Sequence, residues 1–103
     1  MSIFTKLAMI GRYERQHMPW LESLEDLDIV REVGAHEDKG EALTVTGLSR
    51  VVICSSATLS RRLARLEELG VLVKHGKAMD RRAVVLGVSK KARDAYRGCG
   101  ALL

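Results

Sequence analysis

Apolar residues recur along this chain at two spacings, and the change from one to the other divides it. From Ile3 to His17 the positions Ile3, Phe4, Leu7, Ala8, Ile10 and Tyr13 fall on one stripe of a helix. Pro19 stops that helix. Ser23-Leu24-Glu25-Asp26 resembles a capping box and opens a second helix, with Leu24, Leu27, Val30 and Val33 as its buried side. That helix should end between Ala35 and Lys39, ahead of Gly40. Leu43 is expected to start a short strand, and Thr44 to cap a third helix running to about Ile53. Cys54-Ser55 is a tight turn, and Ser55 or Ser56 caps a fourth helix, Ser56–Leu69, closed by Gly70. After Gly70 the helical spacing gives way to two short β-branched runs, Val71–His75 and Ala83–Val88, around the loop Gly76–Arg82. Ser89 caps a last helix, Lys90–Arg97, and Gly98-Cys99-Gly100 breaks it.

The fourth helix carries the most chemistry. Leu59, Leu63, Leu66 and Leu69 share one side, and at about 100° per residue the opposite side holds Ala57, Arg61, Ala64 and Glu68. Thr58, Ser60 and Arg65 flank that open side, and Arg62 lies nearer the buried margin. Small residues let a helix sit close to a groove floor, and arginine pairs with guanine or with phosphate. The following loop holds three cations, Lys77, Arg81 and Arg82, and one anion, Asp80. Asp80 among cations suggests an ion pair that orients the loop, with Arg62 as the candidate partner. Helix, strand, basic loop, strand is the layout of a winged helix-turn-helix. The expected architecture is therefore mainly α with one small antiparallel β-hairpin, in the order α-α-(β)-α-α-β-wing-β-α. One domain is expected over the 103 residues, with an N-terminal helix in residues 1–20 and the helix-turn-helix plus wing in 43–89.

Charge sharpens this. Residues 1–40 hold five bases against eight acids, a net of −3, and residues 41–103 hold twelve bases against five acids, a net of +7. A basic half on a protein of net charge +4 suits a polyanion partner for that half. Aromatics are only 4%, so the core should be aliphatic. Two cysteines are too few for a disulfide scaffold, no apolar run approaches a membrane span, and Lys6, Arg12 and Arg15 interrupt the first apolar stretch. A cytoplasmic protein without a membrane partner is the expectation.

The segments Leu43–Leu48, Ser56–Arg61, Leu66–Lys74, Asp80-Arg81-Arg82 and Val88-Ser89 resemble the MarR family of winged-helix transcription regulators over roughly Leu24 to Arg97. The resemblance implies a DNA-binding transcriptional regulator, usually a repressor, acting as a homodimer on a roughly palindromic site in double-stranded DNA. Ser56, Thr58, Ser60, Arg61 and Arg65 match the family's recognition helix. Asp80 matches the acid that braces the wing, and Arg82 the arginine that reaches toward the minor groove. Family members are longer and end in helices that pair with the first helix. Here the surfaces expected to make a dimer are the Ile3–His17 stripe and the tail Tyr96–Leu103.

No competing chemistry is visible. His17, His36 and His75 are far apart and adjacent to no cysteine, so neither metal nor other cofactor is expected. No phosphate loop or nucleophile elbow appears, so the chain is not expected to be an enzyme. No residue pattern points to a small-molecule effector. Cys54 is expected as a small core residue, Cys99 as an exposed thiol, and Met18 and Trp20 as packing between the first two helices. The alternative reading is a winged-helix module for protein interaction, or a short regulator that partners a longer relative.

Overall fold

A computed structural model describes residues 2–76 and 84–102. Five helices and one hairpin follow in the order α1 (Ile3–His17), α2 (Leu24–Asp38), α3 (Val45–Val51), α4 (Ser56–Glu68), β1 (Leu72–His75), β2 (Val85–Val88) and α5 (Lys90–Arg97), with a 3-10 turn at Gly98–Leu102. Each helix starts at a hydroxyl. Ser2, Ser23, Thr44, Ser55 and Ser89 each accept a hydrogen bond from the backbone N–H three residues on. Gly70 has φ of 72°, the left-handed conformation in which α4 turns into β1.

The two strands pair antiparallel, Leu72 opposite Val88 and His75 opposite Val85. Leu43 is not part of a strand, but its carbonyl accepts from the Leu86 N–H at 2.7 Å, so one bond joins the α2–α3 connection to the hairpin. The core runs through Ile29, Val30, Val33, Leu48, Leu59, Leu63, Leu66, Val71, Leu72, Leu86 and Ala92. Met18 and Trp20 close its edge, as the sequence suggested, with Trp20 edge-on to Tyr96 at 6.4 Å.

Three expectations need correcting. Leu24 is 82% exposed, and the buried side of α2 is Asp26, Ile29, Val30 and Val33. Apolar counting favoured Leu24; the helix is instead rotated so that an acid enters the core beneath two arginines. Cys99 is buried, and burial raises its thiol pKa above the ordinary value. Leu69 caps α4 and is 40% exposed rather than continuing the buried row.

The hydrogen bonds that anchor the first helix, among the described residues, come from its C-terminal half. Tyr13 donates its hydroxyl proton to the Ala95 carbonyl at 2.6 Å. Glu14, buried, accepts from Arg31 at 3.0 Å and from the Tyr96 hydroxyl at 2.9 Å. Gly98 permits this docking, because a β-carbon there would overlap the Tyr13 hydroxyl. In the N-terminal half Lys6 and Met9 are half-buried, while Ile3 is 62%, Phe4 80% and Leu7 50% exposed.

Candidate nucleic-acid interface

Leu59, Leu63 and Leu66 seat α4 in the core and fix which side faces out. Ser56, Ala57, Ser60, Arg61 and Ala64 are exposed on that outer side, and Thr58 is half-buried beside them. A polar chain runs along the first turns. The Ser55 hydroxyl donates to Thr58 Oγ1 at 3.0 Å, and Arg61 Nη2 lies 3.4 Å from the same oxygen. The face is small and polar at its N-terminal end, with one guanidinium a turn further on, so it offers donors to an acceptor-rich surface.

Arg62 and Arg65 lie elsewhere. Both turn toward the start of α2, where Arg65 donates to the Trp20 carbonyl at 2.7 Å and to Asp26 Oδ2 at 3.3 Å. Arg62 approaches the same Asp26 oxygen at 3.6 Å. Glu22 completes the cluster, 3.2 Å from Arg62 and 3.0 Å from Arg65. Asp26 is fully buried, and its Oδ2 also accepts the Glu22 N–H at 3.1 Å. Arg65 lies on the flank of the open face, as its spacing from Arg61 implies, and is half-buried there by its contacts with α2. Arg62 was expected to hold the wing through Asp80; its partners among the described residues are acids of the α1–α2 region. Lys77, Asp80, Arg81 and Arg82 lie outside the described residues. The described ends of the two strands, His75 and Val85, are paired.

Sequence reasoning missed Glu22 and Asp26. One signal was available: two arginines three apart on one flank of α4, with no acid of that helix spaced to answer Arg62. A second ionic cluster ties α2 to α5. Glu37 accepts from Arg93 and from the Val88 N–H at 3.1 Å, and Asp38 pairs with Arg93 at 3.0 Å. The Glu37 hydrogen bond is the largest cause of the raised Arg93 pKa. Together the two clusters lock α2 against α4, β2 and α5. Among the described residues no set of three His, Cys, Asp or Glu side chains is grouped to hold a metal, and no helix is long and apolar enough to cross a membrane.

The fold recurs among solved regulators. The S. aureus MepR–DNA complex superposes with a TM-score of 0.68 at 16% identity, over 97% of this chain and 81% of that one. The organohalide-sensing RdhR-CbdbA1625 transcriptional regulator, bound to 2,4-dichlorophenol, gives 0.61 at 18% identity, over 97% of this chain and 60% of that one. NadR in complex with 4-hydroxyphenylacetate gives 0.61 at 20% identity, over 99% and 73%. No curated protein matches by sequence. The family model of the winged helix DNA-binding domain matches residues 25–92, from the start of α2 into α5. With that match over most of its length, the chain belongs to the winged helix DNA-binding domain family.

Proposed function

We propose that this protein is a sequence-specific regulator of transcription, acting as a repressor on double-stranded DNA and not as an enzyme. The observation that carries this reading is the outer face of α4: small and hydroxyl side chains with Arg61 beside them, on a helix held rigidly by three core leucines. An α-helix of about 10–12 Å diameter fills the major groove, about 12 Å wide. Ser56, Thr58, Ser60 and Arg61 then meet base edges. Residues 76–82, through Lys77, Arg81 and Arg82, reach the backbone or the neighbouring minor groove. The DNA-bound state of MepR, whose fold is similar, supports the duplex as partner. In vitro selection from random duplexes tests specificity. Enrichment of one motif, in two inverted copies, is expected; an unenriched pool would leave only non-specific binding.

The protein acts in the cytoplasm as a homodimer through Ile3–His17 and the C-terminal tail. Ile3, Phe4 and Leu7 share one face of α1 and leave an apolar surface that water covers only at a cost. Replacing Phe4 and Leu7 together by glutamate is expected to leave the melting transition nearly unchanged, because both are exposed within the chain. Sedimentation should then fall from twice the monomer mass to the monomer mass. A wild-type protein that already sediments as a monomer would refute the dimer.

A further inference from the structure

We propose that Glu22 is a built-in stand-in for a DNA backbone phosphate, occupying an anion site made by Arg62 and Arg65 until a duplex displaces it. This rests on the DNA-binding reading above. The Glu22 carboxylate gives one oxygen to each guanidinium, Oε2 to Arg62 Nη1 at 3.2 Å and Oε1 to Arg65 Nη2 at 3.0 Å. Two oxygens of a phosphate would divide in the same way between two guanidinium forks.

The two acids of the cluster differ in permanence. Asp26 is wholly buried, whereas the Glu22 side chain is 54% exposed. An exposed pair of this kind is weak and exchangeable. Asp26 and the Trp20 carbonyl keep Arg65 in place whether or not Glu22 is there. If Glu22 rotates away, two cations remain over one buried anion, and the site carries a net positive charge. The guanidinium groups are still accessible, with side chains 31% and 27% exposed for Arg62 and Arg65. They are also already ordered, so little entropy is lost when a phosphate arrives.

Position fits the role. Around the axis of α4, Arg65 stands about 40° and Arg62 about 100° from Arg61. When the face centred near Arg61 enters the groove, that flank turns toward the wall where one strand's phosphates run. Glu22 sits between α1 and α2, so a side-chain rotation clears the site.

The test is a fluorescence anisotropy titration of a labelled duplex, in wild type and Glu22→Gln, at several salt concentrations. Glu22→Gln is expected to bind about three- to tenfold tighter at low salt, with a salt slope steeper by up to about 0.9, the size of one phosphate contact. In an Arg62→Ala background, where Arg65 still answers Asp26, the same change should gain less than about twofold, because one of the two cations is missing. Wild-type binding with no gain in Glu22→Gln overturns the proposal. So does an equal gain in the Arg62→Ala background, which marks a general charge effect. No duplex affinity in either protein defeats the DNA reading, and this proposal with it.

Discussion

Asp26→Ala is expected to lower folding stability by about 2–3 kcal/mol and to loosen α4 from α2. Removing one member of a buried pair costs about 3–5 kcal/mol, because the partner is left uncompensated. Here the partners are Arg62 and Arg65, each with roughly a third or less of its side chain exposed, so water recovers part of the loss. The truncation also removes the acceptor of the Glu22 N–H and leaves space at a position with no solvent access. Leu59, Leu63 and Leu66 still hold α4 by its buried side, so the fold survives while the helix loses its lateral brace. Urea denaturation reads the stability directly. A change under about 0.5 kcal/mol, the range of an ordinary surface substitution, would mean that the ionic cluster does not fix the helix.

Arg61→Ala is expected to weaken duplex binding by about tenfold to a hundredfold, the 1–3 kcal/mol of a paired arginine–base contact. Arg61 is exposed and its approach to Thr58 Oγ1 is long at 3.4 Å, so the substitution should leave folding intact. Arg82→Ala should weaken binding by a comparable factor if the wing reaches the minor groove. The two roles separate by their salt response. A lost base contact relaxes sequence preference and leaves the slope unchanged. A lost phosphate contact reduces the slope by about one and weakens all sequences alike. Unaltered affinity in Arg61→Ala would remove α4 as the reading element.

Much of the fold was legible because its signals are local. The hydroxyl caps Ser23, Thr44, Ser55 and Ser89 and the left-handed Gly70 each act within a few residues of themselves. The leucine row of α4 and the paired runs of β1 and β2 carry their periods openly. What was not legible depends on contacts between distant segments. Periodicity puts Leu24 on the buried side of α2 and leaves Asp26 off it. In the fold Leu24 is exposed and Asp26 is buried, and Arg62 and Arg65, nearly forty residues away, supply the opposite charges that offset the cost of burying the carboxylate. Cys99 looked open between two glycines, yet it packs inward on the turn that follows α5. Of the candidate site, the open face of α4 was readable residue by residue. The inward commitment of Arg65 was not, since an arginine's length lets it serve either side of a helix.

The most direct measurement is the affinity of the wild-type protein for its selected duplex as salt is raised. A helix face and a wing that together meet about four phosphates predict tight binding at low salt and a loss of roughly a hundredfold between about 50 and 200 mM. Absence of duplex affinity at low salt would contradict DNA recognition by α4 outright.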